Sequence, residues 1–115
     1  MQVGVGLVGA GFVADIHARA YAEIPGLDVH IVAVAAASKS SAVAFASRHG
    51  IADAYDDYRR ILWRDDVRVV DICTPNHLHE LVVVAAVRAG KHVICLRPPQ
   101  TKRSRLAVDR VEVAM

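Results

Sequence analysis

Apolar and polar residues alternate along the chain in two patterns. Short, largely β-branched apolar runs are separated by longer segments in which apolar residues recur every three or four positions. The short runs are apolar on both faces, which is typical of parallel strands covered by helices, and the longer segments have the period of amphipathic helices. Strands are expected at residues 3–8, 29–35, 54–55, 69–73 and 92–95. The pattern predicts an α/β fold, a three-layer, doubly wound parallel sheet of about five strands.

The helical segments between these strands have recognisable ends. Pro25 and Gly26 stop the first helix, Gly50 and Gly90 follow the second and the fourth, and Asp56 is expected to cap the third. Helices are expected over residues 13–24, 38–48, 56–63, 76–89 and 101–115. Five strands with their crossover helices use nearly the whole chain, so no second domain is expected.

Composition and charge narrow the functional class. The chain has 115 residues, 54% of them hydrophobic, which suits one domain over residues 1–115. Its formal charge of +2 is near neutral and its basic residues are mostly scattered, so a nucleic-acid partner is not expected. The apolar runs are too short to span a membrane, and the first residues lack the pattern of a signal peptide. A cytoplasmic protein without membrane contact is therefore expected.

The cysteines and histidines do not form a metal-binding pattern. Cys73 and Cys95 each lie in an apolar, strand-like run, as buried reduced thiols do, which also favours the cytoplasm. The histidines are scattered and lack the close spacing of a zinc site. We therefore expect no metal.

A glycine-rich turn joins the first strand to the first helix. Its sequence, Gly9-Ala10-Gly11-Phe12-Val13-Ala14, matches G-x-G-x-x-A in the strand–turn–helix context that this motif requires. Gly9 permits the tight turn, Gly11 lets a pyrophosphate approach the backbone, and the helix N-terminus offers N–H groups and partial positive charge to phosphate. The motif predicts dinucleotide binding in a Rossmann-type fold; the alternative is that the glycines only make a tight turn. The cofactor-binding candidates here are Gly9, Gly11, Phe12 and Val13.

Two further glycines precede this turn. Gly4 and Gly6 fall inside the first apolar run and are interpreted as strand glycines without a role in binding.

The end of the second strand bears on which dinucleotide is bound. An Asp or Glu normally accepts hydrogen bonds from the adenosine ribose there, but residues 35–40 read Ala-Ala-Ala-Ser-Lys-Ser. Without a carboxylate a 2′-phosphate is not repelled, and Lys39 beside Ser38 could pair with it. NADP is therefore favoured over NAD. The alternative is that Ser38 caps the second helix and Lys39 is solvated.

The fourth and fifth predicted strands carry a second signature. It consists of Thr74-Pro75-Asn76-His77-Leu78-His79 and Gly90-Lys91-His92-Val93. Together with the glycine turn and the spacing of Ala14 and His17, these runs resemble the Gfo/Idh/MocA family over residues 3–98. The resemblance implies a two-domain oxidoreductase that acts on sugars, cyclitols or related carbonyl compounds with a nicotinamide cofactor.

The resemblance also implies roles for residues after the fourth strand. Thr74, Pro75 and Asn76 would line the nicotinamide-ribose side of the cleft, although the residues alone read as a turn and a helix N-cap. His79 matches a family histidine near the cleft, and its alternative is a buried, hydrogen-bonded core histidine. All four are cofactor-binding candidates.

Two departures from the family weaken the expectation of a complete enzyme. The family has a Glu-Lys-Pro motif where this chain has Leu96-Arg97-Pro98. Arg97 is the single catalytic candidate, but a guanidinium cannot exchange a proton near neutral pH as a buried lysine can. The family's C-terminal α+β domain, which holds the substrate pocket, is also absent from the expected organisation.

Two functional hypotheses follow. In the first, the chain is the nicotinamide-dinucleotide-binding domain of an oxidoreductase that works by hydride transfer and is incomplete as an enzyme by itself. In the second, it is a non-catalytic nucleotide-binding or oligomerisation module. In either case the surface on which a second domain would dock is expected to be apolar, and this predicts a homo-oligomer.

Overall fold

Strands and helices alternate throughout the part of the chain that the computed structural model describes, which is residues 2–23, 26, 28–74 and 76–95, with backbone alone at 76 and 77. The strands are β1 (Val3–Val8), β2 (Val29–Ala35), β3 (Asp53–Tyr55), β4 (Val69–Ile72) and β5 (His92–Ile94). The helices are α1 (Phe12–Glu23), α2 (Lys39–His49), α3 (Arg59–Leu62) and α4 (Asn76–Arg88). All five expected strands are present, each within one residue of its expected ends. The helix expected over residues 101–115 lies outside the described residues.

β1 is the central strand of one parallel sheet. Within the described residues the strand order is β3-β2-β1-β4-β5. The chain builds one half of the sheet outward from β1 to β3 and then returns through α3 to start the other half at β4. The order of the strands therefore reverses between β1 and β4, where open α/β sheets bind ligands outside the carboxyl ends of their strands. The expected doubly wound α/β fold is confirmed.

Two apolar clusters lie on opposite faces of the sheet. Under α1 and α2, Phe45 is fully buried against Leu7 and Val34, with Ala14 and Ala18 bringing α1 close to the strands. Under α3 and α4 the cluster contains Ile61, Val82, Val83, Ala86 and residues of β2, β4 and β5. Both faces of the sheet are covered, so the molecule has three layers.

Both ends of α2 lie where capping residues were expected from the sequence, whereas the start of α3 differs from its prediction. The Ser38 side chain caps α2 by accepting a hydrogen bond from the backbone N–H of Ser41 at 3.2 Å, and Gly50 ends the same helix with φ +66°. The prediction that Asp56 caps the third helix is wrong. Asp57 instead accepts the backbone N–H of Arg59 at 3.0 Å, because α3 begins only at Arg59.

No helix in the described part of the chain combines the length and the apolar character of a membrane-spanning segment.

Candidate functional site

A cleft of about 1290 Å³ opens at the carboxyl ends of β1, β2 and β4. The glycine turn forms its floor, the end of β2 and the β3–α3 loop form one wall, and the end of β4 with α4 forms the other. The site candidates that line it are Gly9, Gly11, Phe12, Val13, Ser38, Thr74 and His79. The fold therefore brings most of the predicted cofactor-binding residues to one cleft.

The two glycines of the turn have different structural roles. Gly9 has φ +112°, and a Cβ built there would lie 2.7 Å from the backbone oxygen of Cys73. Its N–H donates to the carbonyl of Ala35 at 2.7 Å, which ties the turn to β2. A Cβ at Gly11 would meet nothing within 4 Å among the protein's own atoms. Gly9 is thus required by the fold, whereas Gly11 leaves open space at the start of α1.

The first turn of α1 presents a group of unpaired backbone donors. The N–H of Asp15 donates to the carbonyl of Gly11 at 3.1 Å and closes the first helical turn. The N–H groups of the residues between them have no partner within the helix, as at every helix start, and the helix dipole adds partial positive charge. Next to the open space at Gly11, these donors are suited to an anion.

Lys39 does not reach the cleft. Its ammonium donates a hydrogen bond to the carbonyl of Ala54 and lies 5.8 Å from the centre of the Tyr55 ring. Both contacts are on β3, and Lys39 lines a separate, smaller hollow there. The Lys39 side chain therefore lies against β3, and Lys39 is not among the residues that line the cleft.

Two candidates lie outside the described residues, and a third is described in part. Pro75 and Arg97 are outside them, so their predicted roles stay predictions. Asn76 is the first residue of α4, which agrees with its expected position at the start of the fourth helix.

The cleft wall formed by the β3–α3 loop is not predicted from the sequence. Asp56, Asp57, Tyr58 and Arg59 all line the cleft. The guanidinium of Arg59 donates three hydrogen bonds to the Asp57 carboxylate, at 2.7, 3.0 and 3.1 Å, and these lower the pKa of Asp57 to about 2. The position of this polar run in the sequence could have indicated its role. It directly follows a parallel strand, and the carboxyl ends of such strands border the ligand-binding crevice.

A second unanticipated feature is a hydrogen-bonded cluster around Asp71 on β4. The Asp71 carboxylate is fully buried and accepts hydrogen bonds from His17 Nδ1 at 2.7 Å and from the Tyr21 hydroxyl at 2.6 Å. Cys73 Sγ lies 3.5 Å from both the carboxylate and His17 Nδ1. Burial, reinforced by the charge of Asp71, raises the pKa of Cys73 and of Tyr21. The thiol and the phenol therefore keep their protons.

This cluster also contains the one group of three potential metal ligands found among the described residues, His17, Asp71 and Cys73, whose donor atoms lie within 4.8 Å of one another. These atoms are engaged with each other by hydrogen bonds, and a metal would require the Cys73 thiol to lose its proton. The expectation that the chain binds no metal stays a prediction.

The protonation of Tyr21 gives a direct test of the cluster. Because the pKa of Tyr21 is raised above its usual value of 10 in the folded state, its hydrogen bond stabilises the fold fully below pH 10, and this contribution declines as the pH rises further. We expect the folded chain and the Tyr21→Phe variant to gain the same tyrosinate absorbance as the pH passes 10. In denaturant the unmodified chain should gain the signal of one more tyrosine; a larger gain already in the folded chain would contradict the buried bond.

Three buried polar atoms of residues that line the cleft have no hydrogen-bond partner. Among the described side chains they are His17 Nε2, Thr74 Oγ1 and His79 Nε2. His79 is 2% exposed, and its other ring nitrogen lies 3.6 Å from Cys95 Sγ. An unsatisfied buried polar group costs about 1–3 kcal/mol, so the cleft wall is suited to a ligand with its own donors and acceptors. The open space at Gly11 and these atoms together fit a dinucleotide.

Comparisons with known proteins agree with this geometry. The family model for the Gfo/Idh/MocA group, described as an oxidoreductase family with an NAD-binding Rossmann fold, matches residues 3–112. Levoglucosan dehydrogenase of Pseudarthrobacter phenanthrenivorans is 42% identical over 104 residues, covering 84% of this chain and 26% of the relative. D-glucoside 3-dehydrogenase of Escherichia coli is 38% identical over 96 residues, covering 83% of this chain and 27% of the relative.

Solved structures show the same relationship. A levoglucosan dehydrogenase in complex with NADH superposes with a TM-score of 0.90 at 36% identity, over 96% of this chain and 32% of that one. A mutant 3-ketoreductase of Actinomadura kijaniata, in complex with TDP-benzene and NADP, gives a TM-score of 0.83 at 29% identity, over 98% of this chain and 34% of that one.

This chain spans about a quarter to a third of the length of these relatives. The part of this chain that matches them contains the glycine turn and the five-stranded sheet. On the strength of the family model and of this superposition, the chain belongs to the Gfo/Idh/MocA oxidoreductase family and corresponds to its NAD-binding Rossmann domain.

Proposed function

We propose that the chain binds a nicotinamide dinucleotide across the cleft, with the pyrophosphate over the turn from Gly9 to Gly11. The observation that carries this proposal is the combination at Gly11 of space for a ligand with the free N–H groups at the start of α1. Gly11 would contact the pyrophosphate through its backbone, and Phe12 and Val13 would offer their N–H groups to it.

The nicotinamide half would extend towards β4 and α4. Thr74 and His79 each present a buried polar atom without a partner on that side of the cleft. A ribose hydroxyl or the carboxamide of the nicotinamide can supply the missing donors and acceptors. When bound, the nicotinamide supplies a hydride donor or acceptor at its C4; the chain's own residues hold the ring and its ribose in position.

In a whole enzyme, the reaction would be hydride transfer to or from a sugar, a cyclitol or a related carbonyl compound. The names of the levoglucosan and glucoside dehydrogenases support this substrate class. Arg97 would be the residue of this chain beside the reacting atoms, where its charge could orient a substrate without exchanging a proton. If the chain binds no dinucleotide, the alternative of a structural or oligomerisation module replaces this proposal.

The predicted homo-oligomer also stays a prediction. Phe12, Ile16, Leu78 and Leu81 are exposed apolar side chains at or near the cleft, with Phe12 80% exposed. Sedimentation of the purified chain over a range of concentrations checks it, and a single monomeric species throughout would contradict it.

For the choice of dinucleotide, we propose a preference for NADP. No carboxylate stands at the end of β2, where one would repel a 2′-phosphate. Since the Lys39 ammonium is held on β3, the positive potential would come from the N-terminus of α2, behind Ser38, and from Arg59 across the cleft wall. Arg59 also offsets the charge of Asp57, to which it is bound.

Calorimetric titration of the chain with NADPH and with NADH tests both parts of this proposal. We expect both to bind and NADPH to bind more tightly, by a factor on the order of ten, the equivalent of about 1.4 kcal/mol. Arg59→Ala should reduce the affinity for NADPH more than that for NADH. Arg60→Ala is the matched control, since Arg60 is a neighbouring exposed arginine outside the cleft lining.

Each outcome has a distinct meaning. Tighter binding of NADH would overturn the NADP preference and assign the carboxylates of Asp56 and Asp57 to the adenosine ribose. Absence of binding by both dinucleotides would overturn the proposed function itself.

A further inference from the structure

The side chain of His17 is fixed at one ring nitrogen and unsatisfied at the other. Nδ1 lies 2.7 Å from the buried Asp71 carboxylate, whereas Nε2 is buried without a hydrogen-bond partner, and the residue lines the cleft. His17 is 9% exposed. A buried polar atom of this kind normally has a partner, and a ligand group bound in the cleft can supply it.

The hydrogen bonds around Asp71 determine which group this is. The Tyr21 hydroxyl and the Cys73 thiol both donate to the carboxylate and keep their protons. An ionised carboxylate only accepts hydrogen bonds, so His17 donates to it from Nδ1, and in the tautomer protonated only there the imidazole presents a lone pair at Nε2. In this tautomer Nε2 accepts a hydrogen bond from the ligand and does not suit a phosphate oxygen, which is itself an acceptor.

The position of His17 indicates which half of a dinucleotide it faces. Its Nδ1 lies 3.5 Å from Cys73 Sγ. Thr74, which follows Cys73 in the chain, has a buried hydroxyl oxygen that also lacks a hydrogen-bond partner. The backbone of Cys73 also packs against Gly9. His17 thus lies between the glycine turn and the end of β4, on the path from the pyrophosphate to the nicotinamide.

We propose that His17 Nε2 accepts a hydrogen bond from the nicotinamide half of the bound dinucleotide, with Asp71 and Tyr21 as positioning residues that hold the imidazole. This proposal rests on the proposed function. The donor is a ribose hydroxyl or the carboxamide N–H of the nicotinamide, and the choice of ligand in the test distinguishes the two.

The His17→Asn substitution separates the hydrogen bond to Asp71 from the proposed hydrogen bond to the ligand. The amide nitrogen of His17→Asn can still donate to Asp71, but nothing remains at the place of Nε2. We expect the affinity for NADH to fall about tenfold in this variant. His49→Gln is the matched control, because His49 pairs with an aspartate through Nε2, 2.7 Å from Asp15, where a glutamine amide can take its place, and His49 is not among the residues lining the cleft.

ADP-ribose, which lacks the nicotinamide ring, identifies the donor. If the donor is the ribose hydroxyl, His17→Asn weakens ADP-ribose as much as NADH; if it is the carboxamide, the variant weakens NADH alone. Either result supports the proposal.

Nitrogen NMR of the imidazoles distinguishes contact with the ligand from a purely structural role of His17, because a purely structural role would leave the Nε2 resonance unchanged when NADH is added. In the chain labelled with ¹⁵N, His17 should be protonated at Nδ1, and adding NADH should shift its Nε2 resonance while that of His49 stays in place. Asp71→Asn should increase the population of His17 protonated at Nε2 and weaken NADH binding, although Asp71 itself does not touch the ligand. This measurement also covers the case in which His17→Asn fails to fold.

The outcomes separate the inference from the function on which it rests. If the unmodified chain binds neither NADH nor NADPH, both are overturned. If the unmodified chain binds NADH but His17→Asn binds it equally well, or the Nε2 resonance stays unchanged on binding, only the inference about His17 is overturned.

Discussion

Replacing Gly11 with valine is expected to weaken dinucleotide binding about a hundredfold, or about 2.7 kcal/mol, while leaving the domain folded. A Cβ at this position meets no protein atom within 4 Å, so the folded chain has room for the side chain. The same space is where a pyrophosphate would approach the helix N-terminus, and a branched side chain there would hold it away from the N–H groups. Calorimetry with NADPH and NADH measures the loss.

The control for this variant is the introduction of valine at a position outside the cleft. Ala44 is exposed on α2 and is not part of the cleft lining, so Ala44→Val should bind as the unmodified chain does. Both variants should unfold within a few degrees of the unmodified chain. Undiminished binding by Gly11→Val would show that the ligand does not use this turn.

A substitution at Gly9, unlike one at Gly11, is expected to destabilise the fold. The G-x-G-x-x-A pattern alone does not distinguish the two glycines. The φ of Gly9, +112°, is unfavourable for alanine, and the new Cβ would lie 2.7 Å from the carbonyl oxygen of Cys73, just after β4. Gly9→Ala should therefore lower the free energy of unfolding by about 1–3 kcal/mol. Loss of binding in that variant would report on folding, whereas loss in Gly11→Val reports on the site.

The sequence was sufficient for the layout of the fold and for the position of the cleft. Strand and helix periods do not depend on distant residues, and the glycine-rich turn from Gly9 to Ala14 marks the ligand edge of a doubly wound sheet. The Ser38 cap could be read in the same way, because an N-cap contact spans three residues. Local patterns of this kind are determined by the chain's immediate neighbours.

The partners of long side chains could not be read from the sequence. Lys39 could extend towards the cleft or towards β3, and only the placement of the Ala54 carbonyl and the Tyr55 ring distinguishes the two. His17 and Asp71 are separated by 54 positions, and neither periodicity nor spacing connects them. An acidic residue within a buried apolar strand was nevertheless a signal, because a buried carboxylate requires partners.

The glycines of β1 were interpreted as strand glycines, and the structure gives them a packing role. A Cβ at Gly4 would lie 1.9 Å from the backbone oxygen of Asp66, and one at Gly6 would lie 2.4 Å from Cγ2 of Ile61. The segment from α3 to β4 therefore crosses β1 too closely for side chains at these two positions. This close approach brings β4 beside β1, and the carboxyl ends of these two strands border the cleft.

We expect Gly4→Ala to be the most destabilising of these changes, at about 3 kcal/mol or more. Its new methyl group meets backbone, which cannot move without disturbing the hydrogen bond from Arg68 N–H to the Gly4 carbonyl at 2.9 Å. Gly6→Ala meets a side chain instead, so its cost should be smaller. Against the roughly 5–15 kcal/mol by which domains are usually stable, Gly4→Ala removes a large fraction.

Ile61→Ala distinguishes the two clashes, because it removes the methyl group that Gly6→Ala would meet and leaves the Asp66 carbonyl in place. In a double-mutant cycle followed by chemical denaturation, Ile61→Ala should relieve Gly6→Ala by about 1 kcal/mol or more and should not relieve Gly4→Ala. Equal coupling with both glycines would mean that the α3–β4 segment shifts as a unit. In that case the close crossing would not be what fixes β4 beside β1, and the edge that bears Thr74 would tolerate movement.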